Sequence, residues 1–123
     1  MSVENQTILV IDDDSGVRML LDKFLSKEGY KVVLATTGHD GLILSNHEKM
    51  DVVLLDLALG DMTGVEVAKA IRARYGRSLK IIGITAYSHD AIEMYYPEAF
   101  DVFNDFCFKP FSHGDLIELI KKT

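Results

Sequence analysis

Cysteine is nearly missing from this chain. Cys107 is the only one, so no internal disulfide is available to staple the fold. It stands in an apolar run, where a buried free thiol is the expected state. Long hydrophobic runs are missing as well. No apolar stretch approaches the ~20 residues of a membrane span, and Met1–Thr7 has no signal-peptide pattern, so a cytoplasmic protein is expected. Basic residues are the minority, 13 Lys and Arg against 19 Asp and Glu, for a formal charge of −6. Nonspecific grip on nucleic acid or on an anionic membrane needs a basic surface, so neither partner is expected. Linkers, repeats and low-complexity tracts are absent. The 123 residues therefore read as one domain, 1–123. A chain of that length buries roughly 65–70% of its unfolded surface and needs no staple. A composition of 48% hydrophobic and 26% charged residues is that of a globular protein.

Five short apolar runs alternate with longer amphipathic stretches. The runs are Thr7–Ile11, Lys31–Ala35, Val52–Leu55, Ile81–Ile84 and Phe106–Phe108. The first four are rich in Val, Ile and Leu with little alternation, as expected of strands covered on both faces. Val17, Leu20, Leu21, Phe24 and Leu25 follow a helical period, with Gly29 as the stop. Gly38–His47 is a weaker helix, and the stretch from Val65 to Tyr75, closed by Gly76, is a third. Ser112 caps a last helix with an acidic residue three positions on, as in a capping box. A short fourth helix is expected to end near Pro97, followed by an irregular stretch. This alternation means βαβ units: a parallel sheet with helices on both faces, and chemistry at the carboxyl ends of its strands.

Those ends carry Asp12, Asp13 and Asp14 after the first strand and Asp56 after the third. Thr85 follows the fourth, and Lys109-Pro110 the fifth. Taken singly, each has a structural reading: a helix cap, a loop acid, a strand-end hydroxyl, a surface lysine. Taken together, they put several carboxylates, a hydroxyl and an ammonium on one rim. Two unit charges ~4 Å apart repel by about 4 kcal/mol at an effective dielectric near 20. Such carboxylates hold a proton or bind a cation. All-oxygen ligands without His or Cys favour a hard ion such as Mg²⁺, which accepts phosphate oxygens. With Lys and Thr to hold further oxygens, the rim is equipped for phosphoryl transfer.

The sequence resembles a receiver domain of the two-component response-regulator family, from Ile8-Leu9-Val10-Ile11-Asp12-Asp13-Asp14 to Lys109-Pro110-Phe111 and the final helix. The marks are an acidic pair after strand one, Asp56 after strand three with Gly64 eight residues on, Thr85-Ala86 after strand four, and Lys-Pro-Phe after strand five. The resemblance implies a flavodoxin-like, doubly wound α/β fold: a five-stranded parallel sheet in the order 2-1-3-4-5, flanked by five helices. It implies that Asp56 takes a phosphoryl group from a phosphohistidine of a sensor histidine kinase or histidine phosphotransfer protein. Asp13 and Asp56 would ligate Mg²⁺ directly, Asp12 through water, and the Ala58 carbonyl would complete the protein ligands. Lys109, the Thr85 hydroxyl and the Ala86 amide would hold phosphoryl oxygens. Thr85 and Phe106 would form the switch, acting on the surface of helix four, strand five and helix five, where a target, an attached output domain or a second copy could dock. Gly64 and Pro110 would be structural, Pro110 through a cis bond. Ala58 and Tyr87 would flank the water path to the acyl phosphate, with Tyr87 covering the phosphoryl group and slowing its loss.

The chain departs from the family at several points. Leu59 and Gly60 stand where Met-Pro is frequent, and Phe106 stands where Tyr is frequent. The stretch from Thr85 to Lys109 is longer than usual and lacks the common Gly-Ala before strand five. The main rival is a haloacid-dehalogenase-type phosphatase, since Asp12-x-Asp14 fits its strand-end motif with Asp12 as nucleophile and Asp14 as acid. Gly16 breaks the remainder of that motif, and the chain is short for that fold plus a cap. A receiver that only binds is the second rival, but every residue needed for phosphorylation is present.

Overall fold

The computed structural model describes residues 6–122. Five strands run in parallel: β1 (Thr7–Ile11), β2 (Lys31–Ala35), β3 (Val52–Asp56), β4 (Lys80–Thr85) and β5 (Asp105–Phe108). Their order is β2-β1-β3-β4-β5, as the resemblance implied. The helices are α1 (Ser15–Lys27), α2 (Gly38–Leu44), α3 (Gly64–Tyr75), α4 (His89–Tyr95), α5 (Ala99–Val102) and α6 (His113–Lys121).

Strand alternation divides the core into two layers. Leu9, Ile11, Val53, Leu55 and Ile81 face one way, against Val67, Ala68 and Ile71 of α3 and Ile92 of α4. Ile8, Val10, Leu54, Ile82 and Ile84 face the other, against Leu21 and Leu25 of α1 and Leu116 and Ile120 of α6. Most of these side chains are fully buried. Truncating one to Ala costs about 2–5 kcal/mol.

The helix ends follow from local chemistry. Asp14, Thr37, Thr63, Ser88 and Ser112 each accept an amide hydrogen bond as N-caps, and Thr63–Glu66 and Ser112–Asp115 are reciprocal capping boxes. Gly29, at φ 98°, ends α1 through paired bonds: its N–H donates to Ser26, and Tyr30 N–H donates to Leu25.

Three expectations need correction. The α-helices number six among the described residues, not five, because α5 forms where an irregular stretch was expected. Four residues are too few to show a period, and α5 exists because Ala99 and Phe103 bury into the core while Arg72 of α3 donates to the Val102 carbonyl. β2 is not covered on both faces; it is an edge strand with only Ala35 buried. The second helix stops at Leu44, and turns carry the chain to His47.

Candidate functional site

Register builds the rim. Ile11 pairs with Leu55, so Asp12 emerges beside Asp56. Thr85 pairs with Phe108, so Lys109 emerges beside Thr85. One oxygen from each of Asp12, Asp13 and Asp56 lies within 4.8 Å of the others. Asp12 is buried and Asp56 nearly so at 9% exposure, while Asp13 stands at the open edge. Lys109 reaches across the end of β4, its Nζ 3.3 Å from Asp12 Oδ2 and 3.2 Å from Asp56 Oδ2. Its own N–H donates to the Thr85 carbonyl at 2.7 Å, which fixes the root of the side chain. The Lys109–Pro110 bond is cis.

The electrostatics follow from burial and charge. Burial raises the Asp12 pKa; the Asp14 N–H, donating to Oδ1 at 2.9 Å, opposes this, and the Asp56 charge adds to it. Burial works to lower the Lys109 pKa, but the charges of Asp56 and Asp12 outweigh it and hold the ammonium above its ordinary value. One ammonium therefore faces several carboxylates, and the excess of negative oxygen fits a hard divalent cation such as Mg²⁺.

Asp56 is aimed from both sides. Its Oδ2 meets Lys109, and its Oδ1 accepts the Ala58 N–H at 3.0 Å. Ala58 pairs with Thr63 in a lone antiparallel bridge, and Gly64 N–H donates to Leu57 O at 2.8 Å. A Cβ at Gly64 would overlap the Asp56 carbonyl and lie 2.8 Å from Leu57 Cα. The eight-residue spacing from Asp56 to Gly64 thus closes a tight loop that only glycine can close.

Thr85 is fully buried, and its Oγ1 accepts the Tyr87 N–H at 3.0 Å; Ala86 lies between them. Among the described residues neither Thr85 nor Ala86 hydrogen-bonds to the acid cluster, although both stand on its rim. The Tyr87 ring lies against Tyr96, with centroids 5.5 Å apart. Phe106 is half-buried, packed on Phe103 at 5.2 Å and on Phe100 at 5.5 Å. Gly83 makes room for it, since a Cβ there would fall 2.7 Å from Phe106 Cδ1.

Asp14 lies outside the cluster and caps α1 through the Val17 N–H, the structural alternative weighed for it. Three residues with no role in the sequence reading also touch this region. Arg18 Nη1 donates to the Asp12 carbonyl at 2.8 Å. Gly83 and Asp61 support the switch ring and the acceptor loop. A glycine inside a strand is a readable sign of close approach, so Gly83 carried a signal; Arg18 and Asp61 carried none. His89, Asp90 and Glu93 on α4 also bring ligand atoms within 4.8 Å of one another, but all three are exposed. Burial, with Lys109 beside it, is what distinguishes the rim.

Comparison with known proteins agrees with this geometry. The model of the family described as response regulator receiver domain matches residues 8–121. Sporulation initiation phosphotransferase F of Bacillus subtilis is 32% identical over 119 residues, covering 96% of this chain and 93% of that protein. The response regulator TrrA of Thermotoga maritima, solved in complex with Mg²⁺-BeF, superimposes with TM-score 0.83 at 33% identity, covering 94% of this chain and 96% of that one. The chemotaxis protein CheY4 of Vibrio cholerae shares the fold, with TM-score 0.86 at 24% identity and coverage of 94% and 96%. A family match over nearly the whole chain, a fold with the same strand order, and an acidic rim answered by one lysine agree: this chain belongs to the response regulator receiver domain family.

Proposed function

We propose that the chain is a single cytoplasmic receiver domain whose Asp56 accepts a phosphoryl group from the phosphohistidine of a sensor histidine kinase or histidine phosphotransfer protein. The observation that carries this is the convergence of Asp12, Asp13 and Asp56 within 4.8 Å, with Lys109 bridging two of them. In the transfer, the P–N bond breaks with its electron pair going to the donor imidazole, and an Asp56 oxygen forms the new P–O bond. The Ala58 N–H and Lys109 hold the carboxylate so that little reorientation is needed. Lys109, freed from carboxylate, pairs with a phosphoryl oxygen, and the Thr85 hydroxyl and Ala86 amide take another.

Asp12, Asp13, Asp56 and the Ala58 carbonyl would hold Mg²⁺, which neutralises charge as the phosphoryl oxygens approach. The relative TrrA, solved with Mg²⁺-BeF, supports Mg²⁺ as the ion. Engagement of Thr85 would free space for Phe106 and alter the α4–β5–α6 surface offered to a target, an output domain or a second copy.

The reaction is self-phosphorylation and slow self-dephosphorylation rather than turnover of a free substrate. With Mg²⁺ and acetyl phosphate, one acid-stable, base-labile phosphoryl group is expected, absent from Asp56→Asn; label retained on Asp56→Asn overturns the reading. Ala58 has no polar side chain to orient a water, so the label is expected to persist. Ala58→Asn with Tyr87→Glu should shorten its lifetime by ~10-fold or more. An unchanged lifetime removes these two residues from the argument.

A further inference from the structure

The segment 57–63 carries Ala58 and Gly60 past the acid cluster. Its ends are pinned by the Ala58–Thr63 bridge and by the Gly64 N–H on Leu57. Its tip holds Gly60, where a side chain would begin 3.9 Å from Asp13 Oδ2. Nothing local stiffens that tip, since glycine has the widest choice of backbone angles.

The stiffening comes from elsewhere in the chain. Asp61 reaches across to the start of α2, where Oδ1 accepts the Gly38 N–H at 2.9 Å and Oδ2 accepts the His39 N–H at 2.9 Å. Beside it Met62 fills the notch left by the missing side chain of Gly38; a Cβ at Gly38 would fall 2.5 Å from Met62 Cγ. Thr37, the N-cap just before α2, caps the same turn by accepting the Asp40 N–H at 3.0 Å, so Asp61 takes amides that the helix's own cap leaves free.

We propose that Asp61 is a positioning residue: it latches the acceptor loop to α2 and so holds Ala58 against the Asp56 carboxylate. The proposal rests on the reading of Asp56 as phosphoryl acceptor. Two hydrogen bonds from one carboxylate restrict both its translation and its rotation, and Met62 in its notch blocks sliding. The latch thus supplies, through a side chain, the restraint that Gly60 withdraws from the backbone. Ala58 N–H holds Asp56 Oδ1, so a loosened tip leaves the reacting carboxylate with Lys109 as its remaining guide. Positioning of this kind acts on the rate of phosphoryl acceptance more than on global stability.

The experiment compares Asp61→Ala, Asp61→Asn and the parent by residue-resolved amide exchange and by labelling with acetyl phosphate and Mg²⁺. In Asp61→Ala, exchange should quicken at Gly38 and His39 and also at Ala58, and the labelling rate should fall about fivefold, the effect of losing a charge-assisted bond discounted for exposure. Asp61→Asn, which keeps one acceptor oxygen, should lie between. Exchange that quickens at Gly38 and His39 while Ala58 stays protected overturns the latch. So does an Asp61→Ala labelling rate equal to the parent's. Exchange needs no phosphoryl chemistry, so a parent that fails to label refutes the reading of Asp56, while the exchange data still decide on the latch.

Discussion

The two halves of the strand-end rim are held by different forces. At β1 and β3 the contacts are charges and hydrogen bonds: Lys109 on Asp12 and Asp56, Arg18 on the Asp12 carbonyl, Ala58 N–H on Asp56. At β4 and β5 they are rings on rings, with Phe106 packed on Phe100 and Phe103 over Gly83. Charge contacts respond to an ion or a phosphoryl group, because those change the local field. Ring contacts respond to shape alone. The proposed function would use both, one half to sense the charge and the other to turn it into a displacement.

Removing the ammonium should separate the halves most sharply. Lys109→Met leaves Asp12 and Asp56 facing each other, and should cost about 3 kcal/mol, the low end for breaking a buried pair because Lys109 keeps some exposure. Millimolar Mg²⁺ should recover most of that in a thermal melt. An equal loss with and without Mg²⁺ would show that the lysine serves packing rather than charge.

Next in size is the alkaline limb of the aromatic half. Burial, followed by the charges of Asp115 and Asp105, pushes the Cys107 thiol up to about 11 from its ordinary 9.0. The folded state then holds more protons than the unfolded one between those values. The contribution is intact below pH 9 and falls as pH rises toward 11, by about 2 kcal/mol. Urea melts of the parent and of Cys107→Ala across that window check it. The parent should lose more, and parallel slopes would refute it.

Gly83→Ala should have the smallest effect. Its Cβ displaces Phe106, costing about 1–2 kcal/mol by overpacking, and the loss should be the same at any Mg²⁺ concentration. A loss that Mg²⁺ repairs would join the two halves and break the distinction between them.

The charged half was the more legible in the sequence. Asp12, Asp13, Asp56 and Lys109 each follow an apolar run that reads as a strand, and parallel strands bring their carboxyl ends to one rim by topology alone. The roles of Asp14 and Asp12 were separable only in space, since both follow β1 and differ in whether the side chain turns into the rim or back onto the Val17 N–H. On the aromatic side, the residues from Pro97 to Phe103 showed no usable period. Lys69 of α3 meets Glu98, and Arg72 holds the carbonyls of Val102 and Leu79 and the side chain of Asn104. Apart from Leu79, those partners lie roughly thirty residues away along the chain, beyond the reach of any local pattern.

By itself the sequence determined the number and sequence order of the strands, the cap of the last helix, the glycine stops of α1 and α3, and which residues stand at the strand ends. Those are local matters of side-chain period, capping chemistry and glycine, written within a few positions of where they act. Only the tertiary structure decided that α5 forms, that β2 lies open at the edge, that Arg18 and Asp61 reach into the neighbourhood of the site, and that Phe106 rests over Gly83. Each depends on which surfaces meet once the sheet is assembled, and burial and contact between distant segments exist only after folding.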